Sequence, residues 1–172
     1  MLQRDNIKLR PLDPADCIAI STLLNNKKIS DNLRDRVPYP YRRSDAENFI
    51  EMIKKQKPVS TFAIEYGYEF CGVIGLQVQD DVYRKGAEIG YWIGEPYWNK
   101  GIMSTAVDLI CKYGFEQLEI VRIFTGIFEY NKASMIVLEK NGFEKEGVGR
   151  KSVFKNGKLW DEHRYARLKE GI

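Results

Sequence analysis

The fold of this chain is decided by residues 87–106, which read AEIGYWIGEPYWNKGIMSTA. An aromatic and β-branched run ends at Gly94 and Pro96, which predicts a strand followed by a tight turn. A short loop containing Lys100 and Gly101 then leads into residues whose apolar side chains recur at helical spacing. The stretch therefore predicts a strand, a loop and a helix in immediate succession.

The start of that predicted helix is a candidate anion site. The first backbone N–H groups of a helix have no partner within it and carry a partial positive charge, so the preceding loop can wrap a phosphate or pyrophosphate. Gly101 allows the backbone to approach such a group closely. Ser104 and Thr105 can cap the helix or offer hydroxyl groups. A strand, turn and helix without any ligand would show the same pattern, and the residues alone leave both interpretations open.

Further strands and helices are predicted on both sides of this stretch. Asp13 and Pro14 indicate a helix start, and Ser44 with Glu47 forms a capping box that predicts another, with Ser44 as N-cap. Asn156-Gly157 predicts a tight hairpin. The predicted strands are residues 7–12, 61–66, 70–78, 86–94, 119–128 and one on each side of the hairpin, and the predicted helices begin near 13, 44, 104 and 132. This order, without repeats or a linker, predicts a single α/β domain over residues 1–172.

Composition excludes several classes of protein. Hydrophobic residues make up 44% of the chain, and 27 basic against 24 acidic residues leave a formal net charge of +3. That charge is too small to predict a nucleic-acid or membrane partner, and no apolar run reaches the roughly 18 residues of a membrane span. The separated cysteines Cys17, Cys71 and Cys111 predict neither a disulfide framework nor a metal site. Because no signal peptide is visible either, we expect a cytoplasmic protein.

Two common phosphate-binding motifs are absent from the sequence. It contains neither GxxxxGK[ST] nor a GxGxxG that follows a strand and opens a helix. A P-loop nucleotide hydrolase and a dinucleotide-binding fold are therefore not expected.

Three segments together resemble a known family. Residues 88–106, Asn131-Lys132-Ala133-Ser134 and Glu139-Lys140-Asn141-Gly142-Phe143 are similar to the motifs of the GNAT N-acetyltransferases, in the branch of the ribosomal-protein-alanine and spermidine acetyltransferases. The resemblance implies a central mixed, mostly antiparallel sheet flanked by helices. It also implies acetyl-CoA as co-substrate and direct transfer of its acetyl group to a primary amine of a protein N-terminus, a polyamine or a small molecule. Homodimers are common in the family, although the sequence shows no interface.

The resemblance assigns a cofactor role to the loop before the helix. The family's acetyl-CoA loop has the form Q/R-x-x-G-x-G/A, and residues 98–103 occupy that register. Gly101 matches the pattern, whereas Trp98 and Met103 depart from it at the two ends. The residues expected to bind the phosphates of the cofactor are Trp98, Asn99, Lys100, Gly101, Ile102, Met103, Ser104 and Thr105.

The resemblance also assigns residues to the pantetheine arm of the cofactor. Backbone groups near Trp92 and Ile93 would pair with the arm, and one of their amides would face the thioester oxygen. Asn131 matches a position whose side chain contacts the arm. Asn131 is equally a favoured helix N-cap, and the two roles are compatible.

Two side chains are candidates for the chemistry. An alkyl amine titrates near ~10.4 and must lose a proton before it attacks, so a base assists. Glu88 matches a position where many family members carry a carboxylate, and alternation places it on one face of its strand with Gly90 and Trp92. Ser134 matches a serine that the ribosomal-protein branch places near the thiol, where it would return a proton to the leaving thiolate. Alternatively, Glu88 has a structural role or orients the substrate, and Ser134 is a helix residue that takes no part in the reaction.

Departures from the family pattern keep a second function open. The tyrosine that many members use as an acid is replaced by Leu138, and a carboxylate sometimes found in the last hairpin is replaced by Val153. Together with Met103, these residues favour an acyl-CoA-binding or regulatory module without transfer activity. Asp161 and Glu162 lie near Val153 in the sequence and would serve an amine substrate or remain on the surface.

A third hypothesis is an RNA-binding domain. It rests on the basic hairpin residues Lys151, Lys155 and Lys158. The modest net charge argues against it.

Overall fold

A computed structural model describes residues 2–171 of the chain. The strands are β1 (Leu2–Arg4), β2 (Ile7–Arg10), β3 (Thr61–Tyr66), β4 (Glu69–Val78), β5 (Gly86–Ile93), β6 (Arg122–Phe128), β7 (Glu144–Lys155) and β8 (Lys158–Leu168). The helices are α1 (Cys17–Leu24), α2 (Lys27–Ser30), α3 (Arg43–Ile53), α4 (Ile102–Gln117) and α5 (Lys132–Lys140). The eight strands form one sheet in the order β1-β2-β3-β4-β5-β6-β8-β7.

The centre of the sheet holds the feature that positions the site. β5 and β6 run parallel, whereas the other neighbouring pairs among residues 2–171 are antiparallel. Pairing between β5 and β6 stops at Glu88 and Phe124, although both strands continue beyond these residues. The two strands therefore separate and leave a slot, which we call the β5–β6 slot, between residues 89–93 and 125–128.

Apolar side chains cover both faces of the sheet. On one face, α4 and α5 pack on β5 and β6 through fully buried residues such as Ile89, Ile110 and Leu138. On the other face, α1 and α3 pack on β3 and β4, with Ile20 and Ile50 at the centre of the contact. Helices therefore cover both faces of the sheet, with α4 and α5 on the face that carries the core of β5 and β6.

The predicted mixed sheet, flanking helices and last hairpin are confirmed. The predicted helix start at Asp13 is also confirmed: Asp13 caps a 3₁₀ turn over Pro14–Asp16 that leads directly into α1, and its side chain accepts from the Ala15 N–H at 2.9 Å. The predicted N-cap Ser44 is wrong: Arg42 is the N-cap, and Asp45 caps its amide at 2.7 Å. Glu47 instead pairs with Arg43 on the helix surface at 3.0 Å.

Two elements were missed in the sequence. β1 is three residues long and pairs with β2 across a turn at Asp5, too short for alternation to reveal it. α2 is one turn long, and Asn26 caps it by accepting from the Lys28 N–H at 2.9 Å. Within residues 2–171, no helix is long and apolar enough to cross a membrane, and no group of three or more metal-ligating side chains is present.

Candidate active site

The start of α4 is an open backbone cradle. Gly101 is its N-cap and has a φ of +74°, a conformation that side-chain-bearing residues adopt at a cost. An added Cβ at Gly101 would meet no atom within 4 Å, so the space before the loop is free. Among the described residues, no side chain caps α4, and the first helical bond runs from the Thr105 N–H to the Gly101 carbonyl at 3.1 Å. The N–H groups of residues 102–104 are therefore available to an anion.

Side chains of the loop turn away from the cradle. Ile102 and Met103 are buried in the core, so Met103 does not crowd the position where the family has a small residue. Lys100 is exposed and its ammonium lies 5.6 Å from the Tyr97 ring centre. Trp98 packs toward α1 and α3, and its indole N–H donates to the Ile93 carbonyl at 2.9 Å. The cradle is thus made of backbone, and the Trp98 side chain stands outside it.

The predicted capping role of Ser104 and Thr105 is wrong, because both lie inside the first turn of α4. The Ser104 hydroxyl instead accepts from the Asn141 amide at 3.0 Å, which ties α4 to the end of α5. Beside this contact lies a cavity of about 410 Å³. Its lining residues are Arg4, Ser104, Thr105, Asp108, Lys140, Asn141, Gly142 and Arg167. Three cations against one carboxylate make this cavity suitable for a phosphate group.

The β5–β6 slot continues from the cradle into the sheet. On its β4 side, the backbone of β5 is paired, with Val73 opposite Trp92 and Gly72 opposite Ile93. On its β6 side, the residues after Glu88 have no strand partner within the described chain. The Gly94 N–H donates to the Cys71 carbonyl of β4, so by alternation the backbone groups of Gly90 and Trp92 also face β4, and those of residues 89, 91 and 93 face the slot. The Ile93 carbonyl is already used by Trp98, so an extended ligand in the slot has the backbone groups of Ile89 and Tyr91 and the Ile93 N–H to bind.

The floor of the slot holds a pair of hydroxyl groups. The Tyr91 phenol and the Ser134 hydroxyl lie 2.6 Å apart, and the Ser134 side chain is buried in the first turn of α5. Asn131 caps that turn by accepting from the Ser134 N–H at 3.2 Å. Burial raises the pKa of Tyr91, so its phenol stays protonated at neutral pH. The structure therefore brings Asn131, Ser134 and Tyr91 together at one end of the slot.

Glu88 lies on the opposite face of β5 from Tyr91. Its carboxylate is paired at both oxygens with the Arg34 guanidinium, whose Nη1 lies 3.4 Å from Oε2 and whose Nη2 is closer to Oε1. Arg34 belongs to the segment between α2 and α3, and its side chain is half exposed whereas that of Glu88 is 20% exposed. A cation from outside the sheet thus covers the predicted base.

Two residues that depart from the family pattern, Leu138 and Val153, have ordinary structural surroundings. Leu138 is fully buried in the core under α5, and Val153 pairs with Trp160 in the last hairpin. Lys155 of the basic hairpin is buried and paired with Asp35 at 2.6 Å. The RNA hypothesis therefore loses one of its three surface cations.

Sequence reasoning missed several residues of this site. Tyr91 follows from the same alternation that was applied to Glu88, and Lys140 stands inside a motif that carries the resemblance. Arg167 lies in Tyr165-Ala166-Arg167, a segment of the last strand that also resembles the family but suggests no role for the arginine. No sequence signal marks Arg34, because it reaches the site from a segment distant along the chain.

Comparison with known proteins gives a consistent result. A family model described as an acetyltransferase (GNAT) domain matches residues 6–144. The curated relative "Uncharacterized N-acetyltransferase YoaA" of Bacillus subtilis (strain 168) is 30% identical over 98% of this chain and 97% of its own length. The spermidine N(1)-acetyltransferase of Escherichia coli (strain K12) is 27% identical over 88% of this chain and 80% of its own length. Among solved structures, the microcin C7 self-immunity acetyltransferase MccE in complex with acetyl-CoA and AMP superposes with a TM-score of 0.81 at 29% identity, over 96% of this chain and 94% of that one.

Proposed function

Since the chain belongs to the GNAT acetyltransferase family and is an acetyl-CoA-dependent N-acetyltransferase of primary amines, we propose that the cradle at Gly101 and the β5–β6 slot form its donor site. The observation that supports this assignment most directly is the parallel strand pair that separates beside an uncapped helix start. Acetyl-CoA supplies the acetyl group as an activated thioester. The residues present fit it, because an open backbone cradle suits a pyrophosphate and an unpaired strand edge suits an amide-bearing arm.

Different groups of the chain bind different parts of acetyl-CoA in this proposal. The N–H groups of residues 102–104 hold the pyrophosphate, with Asn99 and Lys100 at the open side of the loop. The backbone of Tyr91 and the Ile93 N–H, on either side of Trp92, hold the arm together with the Asn131 side chain, whereas the Trp92 backbone is bonded to β4. Lys140 and Arg167, which line the 410 Å³ cavity beside α4, hold the phosphate of the nucleotide end.

Proton transfer falls to Glu88 and Ser134 in this proposal. Glu88 accepts a proton from the acceptor amine, directly or through water, after the amine has displaced Arg34 from the carboxylate. Ser134 passes a proton from Oγ to the departing thiolate and regains, through water, the second proton that the amine nitrogen loses as the amide forms, while Tyr91 holds that hydroxyl at 2.6 Å. A cytoplasmic setting and a homodimer remain predictions.

The acceptor is proposed by class. A polyamine is supported by the similarity to a spermidine N(1)-acetyltransferase, and a protein N-terminus and a small amine share the same primary amine chemistry. The test incubates the protein with acetyl-CoA and spermidine, a panel of N-terminal peptides or small amines, and measures the acetylated product by mass spectrometry beside free CoA. We expect equal amounts of both products. Tight acetyl-CoA binding without product from any amine would instead support the regulatory module.

A further inference from the structure

Glu162 of β8 lies directly over the backbone of β6. An ideal Cβ at Gly126 would be 2.4 Å from both the carboxyl carbon and Oε1 of Glu162, a distance that real Cβ atoms do not show. Gly126 therefore provides the room into which the Glu162 side chain extends. This approach fixes the place of the carboxylate on the sheet.

That place is beside the mouth of the β5–β6 slot. Phe124 is the last residue of β6 that pairs with β5, opposite Glu88, and Gly126 follows two residues later on the same face. Two residues of a strand span about 7 Å. The Glu162 carboxylate therefore shares a face with Glu88 and stands just past the point at which the strands separate.

The two carboxylates differ in what neutralises them. Arg34 pairs with both oxygens of Glu88. Within residues 2–171, the Glu162 carboxylate accepts no hydrogen bond, and its nearest cation is the Arg164 Nε at 3.6 Å. The Arg164 side chain is 63% exposed, and such surface pairs contribute little. Glu162 is itself only 22% exposed, so it is a partly desolvated carboxylate that lacks a strong partner.

We propose that Glu162 binds the acceptor as a primary alkylammonium ion and so determines specificity for cationic amines. This inference rests on the proposed function and names the group that selects its acceptor. Alkyl amines are protonated at neutral pH, and a charge-assisted hydrogen bond to Glu162 compensates the carboxylate. Binding at Glu162 places the ammonium at the mouth of the slot on the face that carries Glu88, which accepts the proton in the later step.

The test is steady-state acetylation of spermidine by Glu162→Gln, with Glu116→Gln as a control of equal charge change on the exposed end of α4. Because the variant loses a hydrogen bond between charged groups, the KM for spermidine rises about 10- to 100-fold, which corresponds to about 1.4–2.7 kcal/mol. We expect kcat within about threefold and an unchanged Kd for acetyl-CoA. If Glu162→Gln had the same KM for spermidine as the wild type, with or without a fall in kcat, the proposal would be overturned.

A second variant and a second measurement guard against misfolding. Gly126→Ala keeps the carboxylate but displaces it, so its KM for spermidine rises in the same direction while far-ultraviolet circular dichroism stays that of the wild type. Calorimetric titration of spermidine into the CoA complex needs no turnover. Weaker binding by Glu162→Gln than by Glu116→Gln supports the ammonium site even if acetylation fails, whereas equal binding refutes it.

Discussion

The phenol oxygen of Tyr91 lies 2.6 Å from the hydroxyl oxygen of Ser134, so a side chain of β5 reaches the first turn of α5. Leu138, which replaces the family's usual tyrosine, lies one turn further along α5 than Ser134, and its side chain is buried in the core. A hydroxyl group is thus present near this end of the slot, delivered from the strand and not from the helix.

Removing the Tyr91 hydroxyl tests this pair. Tyr91→Phe leaves the Ser134 hydroxyl without its partner, and we expect kcat to fall about 10- to 100-fold, because positioned acid–base groups contribute at least that much. The Kd for acetyl-CoA should stay within about threefold. Tyr113→Phe, which removes a hydroxyl bound to the Val59 carbonyl, is the control. Effects of Tyr91→Phe and Ser134→Ala that add fully in the double variant would contradict a shared role.

Replacing Glu88 tests the proposed base. Glu88→Gln keeps the shape of the side chain but removes its basicity, so kcat should fall about 100-fold at neutral pH. The matched control is Glu146→Gln, because Glu146 also forms a two-point pair with an arginine, Arg122, on another part of the sheet. A Glu88→Gln enzyme with wild-type kcat would assign this residue to structure alone.

The cysteines provide a prediction about reactivity. Cys17, Cys71 and Cys111 are buried, and burial raises the pKa of both Cys71 and Cys111 to about 12. Because the reactive thiolate forms only as pH approaches the raised pKa, a disulfide reagent at pH 8 should detect no thiol in the native protein. All three should react after denaturation. Rapid native labelling would show that the core opens readily.

A buried ion pair at the start of α1 should contribute to stability. The Arg10 guanidinium donates to both oxygens of Asp16 at 2.8 Å, and Asp16 also accepts from the Asp13 N–H. Asp16→Asn leaves the partly buried Arg10 with Glu65, which accepts from its Nε at 2.8 Å, as its remaining carboxylate partner. We therefore expect a loss of about 1.5–3 kcal/mol of unfolding free energy, the range for hydrogen bonds to charged groups. Denaturant titration measures the loss. Glu47→Gln, in the exposed pair with Arg43, should change stability little, and equal losses in both variants would contradict this account.

Local signals were sufficient for most elements. The alternation at residues 7–12, the Asn156-Gly157 turn and the helical spacing after Gly101 each depend on neighbouring residues, and the corresponding elements are observed. The position of Glu88 on one face of β5 also follows from alternation. Ser44 was misassigned because two acidic residues, Asp45 and Glu47, compete for the same capping role.

Contacts between distant segments could not be predicted in this way. Arg34 meets Glu88 across 54 residues, and Glu162 extends over Gly126 from another strand. Neither pairing leaves a pattern in the local sequence, because each depends on where the sheet places β5, β6 and β8. The end of β5–β6 pairing at Glu88 could not be predicted either. The sequence of β5 continues as an ordinary strand, and nothing in it shows where the neighbouring strand β6 stops pairing.

The central claim is that the backbone at Gly101 holds the donor, and calorimetric titration with acetyl-CoA tests it most directly. Gly101→Glu introduces bulk and negative charge into the cradle, and Gly157→Glu is its matched control, since Gly157 has the same φ of +74° and equally open surroundings in the last hairpin. The account predicts that the wild type and Gly157→Glu bind acetyl-CoA alike, while Gly101→Glu binds at least about 100-fold more weakly, a loss of about 2.7 kcal/mol. Wild-type affinity in Gly101→Glu, or no binding by the wild type, would contradict it.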